Sequence, residues 1–219
     1  MKFFTVLTSL GAKERLALSF RHMKDDPQNH IRVIPPLLRR EVTLHEPYSG
    51  DYIHGYMVNA GFSENVMKWH RQHPGIPLRF FWDKWEEEPV KRVDNTLSFY
   101  QLDDVEFLRQ MAGCKAYAST AGFESVCEAM YLGKPILMVP AHIEQDCNAY
   151  DAEKSGAGII SSDFNLQQLL EFAKDYHPNR DFVYWVRGAE YTLLNLLESD
   201  SSNYQQVLFN EMYLVEEFI

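Results

Sequence analysis

Residues 119–140 read STAGFESVCEAMYLGKPILMVP, and this stretch decides the fold. The apolar run Ala116 to Ala118 leads into a turn of small, polar residues. A helix opens near Gly122 and carries Phe123, Val126, Cys127, Met130 and Tyr131 at spacings of three and four, the pattern of a core-facing stripe. It stops at Gly133, and Ile136 to Val139 follows as a strand. Strand, turn, helix and strand make the βαβ unit of a parallel sheet.

The turn has a chemistry of its own. Free N–H groups and the dipole at a helix start attract phosphate, and Gly122 lacks the Cβ that would block close approach. Thr120 and Ser125 add hydroxyls. Glu128 lies six residues beyond Gly122, roughly 9 Å along the axis. Its side chain can point back towards the helix start and accept hydrogen bonds from two adjacent hydroxyls, as on a ribose. Phosphate at the cap with ribose behind it describes a nucleotide. An amphipathic helix would equally expose Glu124 and Glu128 to water with no function, and the spacing leaves both readings open.

Outward from this unit, strands and helices alternate. Residues 1–15 read as a helix, Leu16 to Phe20 as a strand, Ile31 to Ile34 as a short apolar run, and Leu37 to Pro47 as a charged linker with Arg39, Arg40 and Glu41. Strands are expected at Tyr52 to Val58, Pro77 to Trp82, Leu97 to Tyr100 and Gly156 to Ile160. Helices are expected at Glu64 to Gln72, Val105 to Met111, Cys147 to Ser155, Leu166 to Asp175 and Phe182 to Leu197. The pattern predicts an α/β fold with a doubly wound parallel, Rossmann-like sheet, whose ligands bind at the carboxyl ends of the strands. Three turns then share one edge: Asn59–Phe62, Ser119–Ser125 and Ala141–Asn148. In the third, Glu144 and Gln145 pair a carboxylate with an amide, suited to adjacent sugar hydroxyls. The plainer alternative has Asp146 capping the next helix with Glu144 and Gln145 solvated.

Bulk composition narrows the field. The 219 residues carry a net charge of −10, which argues against a nucleic-acid partner, because phosphate backbones need a basic footprint. Apolar content of 46% suffices for a proper core. No apolar run approaches the ~20 residues of a membrane span. The first twelve residues resemble a weak signal peptide, but Thr5, Thr8 and Ser9 interrupt its apolar core. Cys114, Cys127 and Cys147 lack metal-ligand spacing and read as buried thiols in a reducing, cytoplasmic setting.

Gly122 to Glu128, Gly133-Lys134-Pro135, and Glu144-Gln145 followed by Asn148-Ala149 resemble the donor-binding half of the GT-B glycosyltransferases, a group that includes UDP-glucuronosyl, plant glucosyl and lipid II N-acetylglucosaminyl transferases. The likeness spans Asp51 to Asp175. It implies that Thr120, Ala121, Gly122, Phe123 and Ser125 hold the donor diphosphate, with Asn59 and Gly61 in a first glycine loop. It implies that Glu128 binds ribose, that Glu144 and Gln145 bind the donor sugar, and that Tyr100 and Gln101 meet the base through their backbone. The implied donor is a UDP-sugar, because most relatives use UDP. No metal or cofactor is implied, and the lipid II likeness points to cell-envelope polysaccharide at the inner membrane surface. Many relatives have histidine where Thr120 stands, and Asn59-Ala60-Gly61 is thinner in glycine than its counterparts.

A GT-B enzyme has two Rossmann-like domains, with the acceptor and the usual base in the first. The expected division here is residues 1–45 as the tail of an N-terminal domain plus linker, 46–200 as the donor domain, and 201–219 as a C-terminal helix. The chain then reads as a half-enzyme needing a missing or separate acceptor domain. Tyr204, Leu208, Met212 and Val215 form an apolar stripe that could bury itself in a homodimer or equally pack within the chain. Two alternatives accompany this reading: a non-catalytic nucleotide-sugar-binding subunit working with a partner chain, and a nucleotide-sugar 2-epimerase. No base is assigned; His54 and His142 are the histidines nearest the expected site.

Overall fold

The structure is a computed structural model that describes residues 7–84 and 88–198. By its internal contacts the chain divides into two compact units, residues 38–183 and residues 1–37 together with 184–219. These limits differ from the expected ones: the Arg39 segment groups with the larger unit, and the helical residues within 184–198 group with the N-terminal segment. The stripe proposed for a homodimer lies outside the described residues.

In the smaller unit, β1 (Arg15–Leu18) and β2 (Ile31–Ile34) pair in parallel. Of the expected N-terminal helix, only Leu7 and Thr8 are helical among the described residues, because Gly11 turns the chain at φ +83° and the strand begins four residues later. The ring of His22 lies 5.8 Å from that of Trp185.

The larger unit is built on a seven-stranded sheet in the order β5-β6-β4-β3-β7-β8-β9. Its strands are β3 (Ile53–Met57), β4 (Leu78–Trp82), β5 (Val90–Arg92), β6 (Leu97–Gln101), β7 (Ala116–Ser119), β8 (Ile136–Met138) and β9 (Gly158–Ile160). Every pair is parallel except β5 with β6. Its helices are α1 (Arg40–Thr43), α2 (Ser63–Gln72), α3 (Asp104–Gly113), α4 (Phe123–Tyr131), α5 (Ile143–Lys154) and α6 (Leu166–Phe172); α7 (Arg180–Arg187) begins in this unit, and residues 189–198 are helical as well. The expected doubly wound α/β architecture is the observed one.

Strands buried on both faces need apolar residues on both. Ile53, Leu78, Phe80, Trp82, Leu97 and Phe99 form one face, covered by Val66 and Trp69 of α2, by Leu166 and Leu169 of α6, and by Phe164. On the other face His54 sits among the rings of Phe81, Phe107 and Tyr117, with centroids at 5.3, 4.8 and 5.4 Å. Burial pushes its pKa down to about 3, so it is a neutral packing residue. At the end of α4 the N–H of Gly133 donates to Met130 and that of Lys134 to Ala129, with Gly133 at φ +66°. That is the Schellman arrangement, and it explains why the helix stops where the glycine predicts.

Several local expectations change. Strand β5 was not expected, because a three-residue charged edge strand has no apolar period. The linker contains α1, with Val42 fully buried. Helix α5 starts at Ile143 rather than Cys147, so Glu144 and Gln145 lie in its first turn, where acidic residues suit the dipole. Asp146 does not cap it: the N-cap is His142, and no side-chain cap is made. Cys147 is exposed on this helix, whereas Cys114 and Cys127 are buried as expected.

Gly158 marks the closest approach in the sheet, since a Cβ there would run into the backbone carbonyl of Ile136 on the interior strand β8. Gly158→Ala is therefore expected to cost about 1–3 kcal/mol. Urea titration should show a lower midpoint with unchanged slope. Gly75→Ala, where nothing stands within 4 Å, should leave the midpoint in place.

Candidate functional site

The turn between β7 and α4 is held from both sides. Ala121 has φ +60°, the left-handed region that costs a residue with a Cβ about 1–2 kcal/mol. Its N–H donates to the Ser119 hydroxyl at 3.1 Å, which helps to fix this conformation. Thr120 is fully buried: its N–H donates to the Tyr56 carbonyl, and its hydroxyl oxygen accepts the Val58 N–H, each at 3.3 Å. Asn148 of α5 donates its side-chain amide to the Ala121 carbonyl at 3.3 Å. These bonds draw the end of β3, the Ser119–Ser125 turn and the start of α5 to one edge of the sheet.

Helix α4 starts without a side-chain cap. Asp103 caps α3, Asn59 the short 3-10 turn Ala60–Phe62, and Asn165 α6, but Gly122 at the head of α4 has no side chain to offer. A Cβ built on Gly122 would meet only the Ser125 hydroxyl, at 3.6 Å, so the space in front of it is open. The first N–H groups of a helix have no carbonyl partner within it, and with the helix dipole they attract an anion.

Behind this start lies a cavity of about 250 Å³ lined by Arg39, Tyr56, Leu102, Asp104, Phe107, Gly122, Phe123, Glu124, Ser125 and Glu128. Glu128 is not solvated: its side chain is 0% exposed and bound by both oxygens to one guanidinium. Arg39 Nε lies 2.6 Å from Oε1, and Nη2 lies 2.8 Å from Oε2. Arg39 also meets Asp104 at 3.1 Å and Glu124 at 3.7 Å, but both of those carboxylates are largely exposed and bind weakly. Burial raises the Glu128 carboxyl above the usual carboxylate range, and the Arg39 hydrogen bonds and charge offset only part of that rise. The same hydrogen bonds hold the Arg39 guanidinium more firmly protonated than usual.

The structure places Gly122, Phe123, Ser125 and Glu128 on this cavity, and Thr120 and Ala121 in the turn that frames it. Other expected residues have occupations elsewhere. Asn59 accepts the Gly61 N–H at 2.8 Å, so the N–H of that first loop is already bonded. The Gln145 side-chain oxygen accepts the Ala141 N–H at 2.8 Å, while Glu144 is exposed on the same helix turn. Tyr100 stacks on Phe81 with centroids 5.0 Å apart. The backbone of Tyr100 and Gln101 is held in the sheet between β4 and β5, with the Gln101 N–H donating to Pro89 at 2.9 Å. Leu102, one residue on, reaches the cavity instead. His142 is the exposed N-cap of α5. Among the described residues no group of three or more His, Cys, Asp or Glu side chains could hold a metal ion.

Arg39 is the site residue that sequence reasoning missed. It lies 89 positions from Glu128, in a segment read as linker, and no local pattern pairs the two.

The mostly parallel seven-stranded sheet flanked by helices is the fold of the GT-B glycosyltransferases. The sequence profile of glycosyl transferase family 1 matches residues 11–176, and the chain belongs to that family. A Caenorhabditis elegans protein bearing the name UDP-glucuronosyltransferase ugt-48 is 26% identical over 105 residues, 47% of this chain and 20% of the relative. Among solved structures, the glycosyltransferase of kitacinnamycin superposes with a TM-score of 0.60 at 14% identity, covering 85% of this chain and 54% of that one. Arabidopsis thaliana UGT89C1, solved with quercetin, gives 0.55 at 15% identity, covering 78% and 51%. The chain thus spans about half the length of these structures and a fifth of the curated relative. No helix among the described residues is long and apolar enough to cross a membrane.

Removing Arg39 leaves a buried carboxylate without its cation. Arg39→Ala is expected to lose about 3–5 kcal/mol near pH 8. The loss is pH-dependent, with a determinate sign. Without Arg39 the folded-state pKa of Glu128 stands further above its unfolded value of 4.5. The stability tied to its protonated form is present below that value and lost as pH rises through the folded pKa. Urea unfolding of Arg39→Ala should therefore approach the parent near pH 4.5 and fall furthest behind at pH 8. Adding Glu128→Gln should remove most of that dependence.

Proposed function

We propose that this chain binds the donor of a sugar-transfer reaction, a nucleoside diphosphate sugar with UDP as its nucleotide. The observation that carries the reading is the fully buried Glu128 carboxylate, lying behind an open, uncapped helix start. The donor diphosphate lies against Gly122, Phe123 and Ser125, where N–H groups and the α4 dipole stabilise the charge that develops as it leaves. The ribose diol donates to the Glu128 oxygens, taking the place that the Arg39 fork now holds. Arg39 is the only cationic side chain lining the cavity among the described residues, and three carboxylates surround it. Released from Glu128, it remains beside the incoming phosphates as their counter-charge. The base lies against Leu102, next to Tyr100 and Gln101. Glu144 and Gln145 face the donor sugar from the start of α5.

In the reaction an acceptor oxygen attacks the anomeric carbon, the bond to the diphosphate breaks, and the acceptor proton passes to a base outside this unit. The acceptor and that base belong to a second domain, of this polypeptide or of another. The chain's covering only about half of the solved structures it resembles supports this division, and the name of the nematode relative supports UDP.

Calorimetric titration with UDP, GDP and dTDP tests the reading. UDP should bind saturably and more tightly than the other two. Glu128→Ala should weaken UDP about tenfold or more, the worth of one charge-assisted hydrogen bond to the ribose. Binding of none of the three nucleotides, or an unchanged affinity in Glu128→Ala, would sink the proposal.

A further inference from the structure

A second cavity lies towards the amino ends of β4 and β6, away from the edge that carries the donor turns. An interior strand of a doubly wound sheet should be apolar on both faces, and one row here is not. Pairing sets Arg79 of β4 opposite Ser98 of β6, and Ser98 opposite Arg92 of β5. Directly paired residues share a face, so the three stand side by side. Glu106, Arg109 and Gln110 of α3 join them around a polar cavity of about 370 Å³.

Hydrogen bonding in its wall leaves particular groups over. Glu106 accepts from Arg109 through both oxygens, at 2.7 and 2.6 Å, and from the Gln110 amide nitrogen at 2.6 Å. Asp94 accepts from the N–H groups of Thr96 and Leu97 at 2.8 Å each, and meets His70 at 2.8 Å. Both carboxylates are thus occupied. The Arg92 side chain has no hydrogen-bond acceptor or ion-pair partner among the described residues. Arg79 has its guanidinium 3.8 Å over the Tyr52 ring and likewise no acceptor. Gln110 is 1% exposed, and its side-chain oxygen has no donor. Its amide cannot simply turn over, since the oxygen would then face the Glu106 carboxylate.

Adjacent strands lie about 4.8 Å apart, so the Cα atoms of Arg79 and Arg92 stand roughly 10 Å apart with Ser98 between them. Two arginines at that spacing can close on one phosphate. We infer that this cavity is a second ligand site, which takes a small hydroxyl-bearing phosphomonoester of the sugar-phosphate class. Arg79 and Arg92 hold the phosphate, and Gln110 accepts a hydroxyl. In a chain of net charge −10, two guanidinium groups without a carboxylate partner among the described residues, on one polar row, supply the local positive field that an anion needs.

The test is calorimetric titration of the full chain with inorganic phosphate and with glucose 6-phosphate, using glucose and sodium chloride of matched ionic strength as controls. Both phosphates should bind saturably, glucose 6-phosphate the tighter, and neither control should. Arg92→Ala, on an exposed edge strand, should keep the parent's thermal unfolding temperature while weakening both phosphates about tenfold. Arg92→Lys should recover part of the loss. Phosphate held at the start of α4 would be indifferent to Arg92, so equal affinity in Arg92→Ala overturns the proposal, as does absence of phosphate binding to the parent. Neither outcome depends on whether UDP binds at Glu128.

Discussion

A carboxylate taken wholly out of water costs several kcal/mol unless a cation meets it with good geometry, and Glu128 is such a group. Arg39 meets it with two parallel hydrogen bonds, which is the pairing a guanidinium fork is shaped for. That one contact joins the segment before β3 to the helix after β7 and closes the back wall of the cavity. It also holds α1 near α3, because the same guanidinium reaches Asp104.

The pair acts on a frame that is itself under strain. Ala121 occupies a backbone conformation that glycine would adopt more readily, and it is kept there by Ser119, by Asn148 of α5 and by the anchoring of Thr120 to β3. Strain held by several independent bonds is found where a turn must present its backbone in one way only. Here it presents the open side of Gly122 to the cavity. Thr120 thus serves the site through its burial, bracing the turn from within.

The two faces of the sheet divide the labour. One carries Ile53, Phe80, Trp82 and Phe99 against two helices and behaves as a packed core. The other changes along its length, from the aromatic cluster around His54 to the polar row of Arg79, Ser98 and Arg92. A parallel sheet tolerates such a row only where α3 offers polar partners above it, and Glu106, Arg109 and Gln110 do so. The fold thereby keeps two polar chambers apart, one at each end of its strands.

Much of this was legible in the sequence. The βαβ unit of residues 116–139, the glycine stop at Gly133 and the place of Glu128 behind Gly122 all follow from local periodicity and turn chemistry, which act within a few residues. The α/β class follows from repetition of the same pattern. Strand β5 was not legible, because Val90-Lys91-Arg92 is too short and too charged to show a period and is a strand only by pairing with β6. Nor was the early start of α5, whose first turn depends on Gln145 holding the Ala141 N–H. The environment of Glu128 was the largest omission. Its helix spacing was open to both a solvated and a buried carboxylate, and the choice fell to Arg39, 89 residues away. Local order in this protein is written in neighbours along the chain. The charge state and occupancy of its site are decided by partners that only tertiary packing brings within hydrogen-bonding distance.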